Sequence, residues 1–383
     1  MIDTDEPIRR ERVEEHIMLA PPRVARKGRG AVSNLQGRYE VNGRERFDDG
    51  WSDADSESTT GAAGGSAAFK TVVTDEFAKT ILSRNTSPDI PFSVSLNPYR
   101  GCEHGCIYCF ARPTHAYLNL SPGLDFETKL IARPGIGAVL DRELRAKSYV
   151  PRPIALGTNT DPYQPIEREH RVMREVLEVL AAHNHPVAIV TKGAMVERDL
   201  DILAPMAAKG LAKVGISVTT LDADLARSME PRVPSPARRI AAIRALSDAA
   251  VPVRLMVSPV IPGLTDPEID AILEAGRDAG ATAASWIMLR LPMEVSPLFR
   301  QWLEARVPGR AAKVMARIRE VHGGKDYDAQ WGKRMRGEGQ WSTLIGTRFD
   351  LAVKRLGLTV PQPPLRTDLF RPPPREGDQL SLF

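Results

Sequence analysis

The chain has 383 residues, 42% of them hydrophobic, and a net charge of +4 at neutral pH. This length and hydrophobic fraction can supply one large core or two smaller ones, which excludes a small disulfide-stapled scaffold. No apolar run approaches the roughly eighteen residues of a membrane span, and the charged N-terminus lacks the apolar segment of a signal peptide. We therefore expect a soluble, cytoplasmic protein that does not enter a membrane.

Residues 1–70 are predicted to be largely disordered. Charges alternate in the first part, and residues 48–69 are rich in Ser, Gly, Ala and Asp, with few apolar side chains to bury. Residues 27–31 offer an alternative, because two glycines around Arg29 suit a backbone that wraps an acidic surface. A flexible linker is the favoured interpretation of this segment.

Residues 71–295 are predicted to form an α/β core, because short apolar runs alternate with amphipathic stretches as in repeated βα units. The predicted strands are residues 93–97, 154–156, 187–191, 214–219, 253–257 and 284–289. The predicted helices are residues 167–182, 197–209, 236–249 and 267–279, the last two capped by Ser235 and Asp266. The pattern favours a partial (open) βα barrel of about six parallel strands, with a flat doubly wound sheet as the alternative.

Residues 296–358 are predicted to form a basic helical extension, and residues 359–383 a proline-rich, extended tail. Between residues 300 and 355 there are thirteen Lys or Arg against six Asp or Glu. Within this stretch Trp331 and Trp341 bracket three cations, a pattern suited to phosphate contacts and base stacking. A solvated helical face is the alternative interpretation.

All three cysteines of the chain, Cys102, Cys106 and Cys109, lie within eight residues. An odd, crowded set does not suit disulfides, whereas thiols in a reducing compartment are free to bind metal. They follow the first predicted strand, so their loop lies at the C-terminal end of the sheet. Three thiolates on a four-iron cluster leave one iron open for a ligand. A structural zinc site completed by His104 or His115 is the alternative.

The spacing of these cysteines, with Tyr108 before the last one, resembles the signature of the radical SAM superfamily. The flanking residues 97–101 and 110–115 resemble the spore-photoproduct-lyase-like branch, which is related to DNA repair photolyases. The resemblance covers about residues 27–358. It implies a 4Fe-4S cluster on the three cysteines, with S-adenosylmethionine (SAM) on the open iron and Tyr108 near its adenine. Reduction by flavodoxin or ferredoxin would then produce a 5'-deoxyadenosyl radical that abstracts hydrogen from the substrate.

Further candidate residues follow the second and fourth predicted strands. The superfamily generally places backbone that touches the SAM amino group after the second strand, so Asp161 and Glu167 are candidate cofactor contacts. Tyr163, in the same turn, is the candidate catalytic residue that reaches the substrate. A helix start for Glu167 and an ordinary packed tyrosine are the alternatives. Glu230, on the loop after the fourth strand, borders the pocket or forms a surface salt pair.

The ends of the later strands add hydroxyls and cations. Thr191 and Lys192 end the third strand, and Ser217 and Thr219 end the fourth, so they suit the carboxylate and ribose of SAM. Threonine caps of the next helices are the alternative. Arg290 ends the sixth strand, where it would meet a phosphate or carboxylate or remain solvated.

Two substrate classes follow from the resemblance. Enzymes of this branch use a further cysteine as hydrogen donor, and this chain has none beyond the three of the motif. We expect a radical SAM enzyme acting on damaged or modified DNA, with a small-molecule or protein substrate as the alternative and a redox sensor as a third. The final residues resemble the peptide with which bacterial repair proteins bind the sliding clamp. These residues are Gln379, Leu380, Ser381, Leu382 and Phe383.

Overall fold

The computed structural model describes residues 27–40, 70–359 and 363–374. Its strands are β1 (Val72–Asp75), β2 (Leu82–Arg84), β3 (Val94–Leu96), β4 (Tyr99–Arg100), β5 (Lys129–Ala132), β6 (Ile154–Leu156), β7 (Val187–Thr191), β8 (Ala212–Ser217), β9 (Val253–Val260) and β10 (Ala283–Met288). Its α-helices are α1 (Leu124–Thr128), α2 (Ile136–Leu144), α3 (Glu167–His170), α4 (Val172–Ala182), α5 (Leu200–Ala208), α6 (Ala223–Met229), α7 (Pro236–Asp248), α8 (Ile269–Asp278), α9 (Val295–Arg306), α10 (Pro308–Val321) and α11 (Gly339–Arg355). Three 3-10 helices span Arg112–Leu118, Ala194–Asp199 and Asp266–Glu268.

The main sheet contains six parallel strands in the order β10-β9-β8-β7-β6-β3, and β2 pairs antiparallel with β3 at the edge. The parallel strands follow one another in chain order without a reversal. A doubly wound sheet reverses its order at a switch point, so the progression favours the open βα barrel. The prediction of an α/β fold built on parallel strands is confirmed. A small second sheet, β1-β5-β4, joins β4 and β5 of the long first crossover to β1, which precedes the main sheet in the chain.

Two local predictions about helices need correction. The predicted helix 167–182 is interrupted at Arg171, whose φ of +51° ends α3 and starts α4. Ser235 caps α7 as expected, accepting from the backbone N–H of Arg238 at 3.3 Å. Asp266 does not cap a helix. It lies inside a 3-10 turn and accepts from the N–H of Gly263 at 2.6 Å.

Residues 27–40, here called the N-terminal strap, pack against the core, so the interpretation of residues 27–31 as a flexible linker is wrong. The side chains of Arg29, Ala31, Ser33 and Leu35 are buried. The rest of the segment predicted to be disordered lies outside the described residues, except residue 70.

The C-terminal extension covers the exposed edge of the sheet at β10. The N–H of Met288 donates to the carbonyl of Met335 at 2.9 Å, and Ala283 pairs with Thr359. Trp286 packs beside Phe349 of α11. An uncovered edge strand would leave backbone groups free to pair with other chains, so the extension completes the fold on this side.

Residues 363–374 lie at the end of the sheet where β7 and β8 begin. The N–H of Arg366 donates to the carbonyl of Gly210, and that of Arg371 donates to the carbonyl of His183. The ring of Phe370 packs against Tyr149 and His185. The C-terminal pentapeptide lies outside the described residues. Among the helices that the structure describes, none has the length and hydropathy needed to cross a lipid bilayer.

Candidate active site

One pocket opens at the C-terminal ends of the parallel strands. It is lined by the three cysteines, by residues that follow β6 and β7, and by the ends of β8, β9 and β10. Parallel βα folds place ligand sites at this end of the sheet because the loops there converge. The predicted site residues that line it are Cys102, Cys106, Tyr108, Cys109, Asp161, Thr191, Lys192, Ser217 and Arg290.

The cysteines lie on a tight loop, residues 101–111, here called the cysteine loop. It begins at Gly101, whose φ of +74° reverses the chain after β4. The positive φ favours glycine, and a Cβ at Gly101 would also lie 2.7 Å from the end of the Leu130 side chain and 3.0 Å from the carbonyl oxygen of Phe126. Two further turns, closed by backbone bonds from Gly105 to Cys102 and from Cys109 to Cys106, bring the thiols to one wall of the pocket.

The thiols are unpaired and suited to a cluster. Burial raises the pKa of Cys102, Cys106 and Cys109, with further increases from neighbouring acidic groups or thiols. Binding of iron must therefore displace the thiol protons. In the described part of the chain no three His, Cys, Asp or Glu side chains converge on a point suited to one metal ion. A 4Fe-4S cluster binds each thiolate through a different iron, so its ligands need only share a cavity.

Asp161 joins three parts of the pocket wall. Its Oδ2 accepts from the N–H of Lys192 at 2.8 Å and lies 3.4 Å from Nδ1 of His104, while Oδ1 accepts from the hydroxyl of Thr191. Burial alone would raise the pKa of Asp161, but His104 and the hydrogen bonds lower it to about 2. A fixed negative charge therefore lies beside the cysteine loop.

Tyr108 is held by a buried polar network. Its hydroxyl donates to Glu230, which also accepts from Thr219 at 2.8 Å and from Arg239 at 2.7 Å. The ammonium of Lys192 lies 5.7 Å from the centre of the Tyr108 ring. Glu230 is 1% exposed, so it is not part of a surface salt pair. The network fixes one aromatic wall, with Lys192 over its ring.

The structure does not bring Tyr163 or Glu167 into the pocket. Tyr163 is 1% exposed, and its hydroxyl donates to Asp199 at 3.1 Å. Glu167 accepts from Arg198 at 2.6 Å and from the hydroxyl of Tyr99, and burial raises its pKa. Their partners Asp199 and Arg198 both lie in the 3-10 helix Ala194–Asp199. We correct the expectation that they contact substrate or cofactor, because their polar atoms are already paired in the core.

Thr219 is near the pocket but does not line it, since its hydroxyl bonds Glu230 and faces the carbonyl of Ser258. Several lining residues were not among the predicted site residues: Phe110, Asn159, Met256, Ile287 and Met288, while His104 was named only for the zinc alternative. The available signal was position alone, because all of them lie in the cysteine loop or in a strand or loop at this end of the sheet. Their chemistry is not distinctive in the sequence.

Comparison with known proteins identifies the family. A model described as "Radical SAM superfamily" matches residues 96–276. An uncharacterized protein of Mycobacterium tuberculosis is 39% identical over 235 residues, which are 61% of this chain and 68% of the relative. An uncharacterized protein of Methanocaldococcus jannaschii is 26% identical over 173 residues, which are 45% of this chain and 62% of that protein. The chain belongs to the radical SAM superfamily.

Solved structures share the fold. A spore photoproduct lyase complexed with dinucleoside spore photoproduct superposes with a TM-score of 0.53 at 14% identity, over 74% of this chain and 79% of the lyase. A lyase double mutant with bound AdoMet and the same dinucleoside gives 0.53 at 14% identity, over 75% and 79%. At these identities the similarity concerns the fold. Together with the family, it defines a radical SAM enzyme that uses a 4Fe-4S cluster and SAM.

Proposed function

We propose that Cys102, Cys106 and Cys109 hold the 4Fe-4S cluster and that the enzyme acts on a damaged or modified nucleic acid. When bound, the reduced cluster and SAM supply a 5'-deoxyadenosyl radical that abstracts a hydrogen atom from the substrate. The chain itself binds SAM and the substrate, orients them and excludes water from the pocket. Three buried or half-buried thiols on one wall of the pocket at the strand ends support the cluster assignment.

The SAM contacts that we propose come from the ends of β7 and β8. The Lys192 ammonium and the Ser217 hydroxyl face the same pocket as the thiols and suit the carboxylate and ribose of SAM. The hydroxyl of Thr191 accepts from the N–H of Gly193 and donates to Asp161. Thr191 therefore orients Asp161, whose negative charge at the pocket wall suits an ammonium or sulfonium of the cofactor.

The substrate class rests on Arg290 and Phe110 at the pocket. Within the described residues the Arg290 guanidinium approaches the neutral groups of Tyr327 at 3.4 Å and Met335 at 3.7 Å, and its Nε has no hydrogen-bond partner. It lies 4.7 Å from the ring centre of Phe110, which is 43% exposed. An arginine without a carboxylate partner suits a phosphate, and an exposed ring suits stacking on a base. The fold shared with a lyase that binds a dinucleoside photoproduct agrees with this substrate class.

The basic segment that the sequence suggested does not add to this proposal. Arg334 forms a two-point pair with Asp89, and Lys333 pairs with Glu338 at 2.8 Å. Arg336 lies over the ring of Trp286, and Trp341 is covered by Arg317. Two of the three cations that the sequence singled out, Lys333 and Arg334, therefore already have a carboxylate partner, and the third, Arg336, lies against a ring. The alternative interpretation, a solvated face, is therefore favoured, although residues 331–336 form turns and not a helix.

We predict that Arg290→Met weakens binding of a fluorescent oligothymidylate of about ten nucleotides to the reconstituted enzyme with SAM, measured by fluorescence anisotropy. The expected loss is about tenfold to a hundredfold, because a hydrogen bond to a charged group contributes about 1.5–3 kcal/mol. Arg290→Lys should lose less. Lys313→Met, which removes an exposed cation from α10, is the matched control.

A methylphosphonate oligomer of the same length has an uncharged backbone. Comparing the two oligomers therefore distinguishes recognition of the phosphate charge from recognition of the oligomer's shape. Binding of neither oligomer by the unmodified enzyme would reject a nucleic acid and favour the small-molecule or protein alternative. Binding that is indifferent to Arg290→Met would leave the substrate class intact and reject the role of Arg290. The chain has no cysteine beyond the three in the pocket, so we do not extend the hydrogen return of the lyase to this enzyme.

We further propose that Gln379, Leu380, Ser381, Leu382 and Phe383 bind the bacterial sliding clamp. The support is the sequence pattern: two apolar side chains at the terminus would fill an apolar pocket, and Gln379 would supply a polar anchor. A synthetic peptide of residues 375–383 should bind purified clamp in calorimetry, and changing Leu382 and Phe383 to alanine should abolish the signal. Equal heats for the two peptides would dismiss the clamp as a partner.

A further inference from the structure

The N-terminal strap lies directly against the cysteine loop. The N–H of Gly30 donates to Oε2 of Glu127 at 3.0 Å, and the N–H of Ala31 donates to Oε1 at 2.8 Å. A Cβ added at Gly30 would lie 2.0 Å from the carbonyl oxygen of Gly105, between Cys102 and Cys106. The two backbones therefore touch, and only glycine allows this approach.

Glu127 connects the strap to a second group beneath the loop. Its Oε1 also accepts from Arg112 at 2.6 Å, and both side chains are fully buried. Arg112 in turn donates to the carbonyls of Gly105 at 3.0 Å and Cys106 at 2.9 Å. The Arg112 guanidinium thus donates hydrogen bonds to the backbone of the cysteine loop. The Glu127 carboxylate balances the charge of Arg112 and accepts hydrogen bonds from the strap.

A separate chain of polar contacts reaches the first part of the loop. Arg29 donates to the hydroxyl of Thr71 at 3.1 Å, and Thr71 donates to the carboxylate of Glu103. Glu103 also pairs with Arg232 at 2.9 Å, and its N–H donates to the side chain of Gln164. The strap therefore contacts the loop network on both sides of Gly105.

We propose that strap residues 29–31, Glu127 and Arg112 are positioning residues for the cluster: they fix the cysteine loop in its cluster-binding shape and set the charge beneath it. A loop with three ligands loses conformational freedom when it binds a cluster, and a loop already held by its carbonyls loses less. Partners of this kind behind a metal site typically change metal affinity by about tenfold to a hundredfold. A buried positive charge near the cluster also favours its reduced, more negative form.

The first test uses Gly30→Ala, which adds only a methyl group and leaves the Glu127–Arg112 pair intact. The reconstituted variant should lose its cluster about tenfold faster than the unmodified protein in excess chelator, followed by visible absorbance and iron content. Ser33→Ala is the matched control, because it removes a strap hydrogen bond to Gln301 at 2.6 Å without touching the cysteine loop. Equal rates for the two variants would overturn the positioning role of the strap.

The second test uses Glu127→Gln, which leaves the Arg112 charge unbalanced. The midpoint potential of the cluster, measured by a redox titration followed by electron paramagnetic resonance, should shift to a more positive value, and Glu127→Asp should restore it. A purely structural role would not move the potential. An unchanged potential would overturn the electrostatic part of the proposal. If Glu127→Gln does not fold, the same titration on Arg112→Gln decides it, because removing the buried positive charge should shift the potential to a more negative value.

The proposal rests on the assignment of the cluster to the three cysteines. If the unmodified protein gains no cluster absorbance on anaerobic reconstitution, that assignment fails. If the cluster forms normally but responds neither to Gly30→Ala nor to Glu127→Gln, only the positioning proposal fails.

Discussion

Replacing Cys106 with alanine should abolish SAM cleavage. The unmodified protein, reconstituted anaerobically and reduced with dithionite, should form 5'-deoxyadenosine, and Cys106→Ala should form none above background. The physical reason is that a 4Fe-4S cluster with one open iron needs three protein thiolates, and the chain contains only three cysteines. Without the cluster no electron reaches SAM, so the loss is complete and not graded. Liquid chromatography of 5'-deoxyadenosine and iron analysis are the measurements.

Asp89→Asn is the control for Cys106→Ala, because Asp89 pairs with Arg334 in the extension and does not line the pocket. This control should keep the brown colour and the activity. A Cys106→Ala protein that still cleaves SAM would contradict the cluster assignment. Unmodified protein that carries the cluster but yields no 5'-deoxyadenosine would point to the redox-sensor alternative.

Arg239→Met should produce a large loss of folding stability. Arg239 and Glu230 are both buried and pair at 2.7 Å, and Arg239 also donates to the carbonyl of Ser217 at 3.0 Å. Removing one member of a buried pair leaves an uncompensated charge, which typically costs about 3–5 kcal/mol. Urea unfolding should show this loss as a lower midpoint.

Arg238→Met, at the neighbouring residue, is a matched control. Arg238 pairs with Glu197 and is 46% exposed, so its loss should cost at most about 1 kcal/mol. Comparable losses for the two variants would contradict the importance of the buried pair.

The pH dependence of the Arg239→Met effect follows from Glu230. Burial alone would raise the pKa of Glu230, but Arg239 and the other polar partners lower it in the unmodified protein. The lowered pKa stabilises the fold at pH values above the pKa of Glu230 in the unfolded chain. This contribution is lost as the pH falls through the pKa of Glu230 in the folded protein. In Arg239→Met, burial should dominate and raise the pKa of Glu230. Acidification then protonates Glu230 and removes the free-energy cost of its buried negative charge. The stability difference should therefore be larger near pH 7 than near pH 5.

The sequence was most informative where a single periodic element or a short motif carries the signal. The six parallel strands follow from short apolar runs, because a strand buried on both faces must be apolar throughout. The cysteine motif is local, so its placement after a strand put the thiols at the C-terminal end of the sheet. The pocket positions of Lys192 and Ser217 were predicted for the same reason. Lys192 directly follows β7 and Ser217 ends β8, and the C-terminal ends of both strands open onto the pocket.

Sequence reasoning failed where the partner of a polar group is distant in the chain. Tyr163 lies in the turn that leads from β6, yet its hydroxyl bonds Asp199 in the core. Glu127 contacts Gly30 and Ala31, almost a hundred residues away, and no periodicity connects them. The cations near Trp331 and Trp341 suggested a nucleic-acid surface, but Arg334 pairs with Asp89, 245 residues away in the chain.

The amino-acid sequence by itself determined the family chemistry of this protein: an α/β core, three clustered thiols and strand ends rich in hydroxyl and cationic groups. The tertiary structure alone decided which of those polar groups face the pocket and which are hydrogen-bonded to partners in the core. The reason is that a charged or hydroxyl side chain must be hydrogen-bonded when it is buried, and folding supplies partners that sequence spacing cannot reveal. Asp161 and Arg290 reach the pocket, whereas Tyr163 and Glu167 do not.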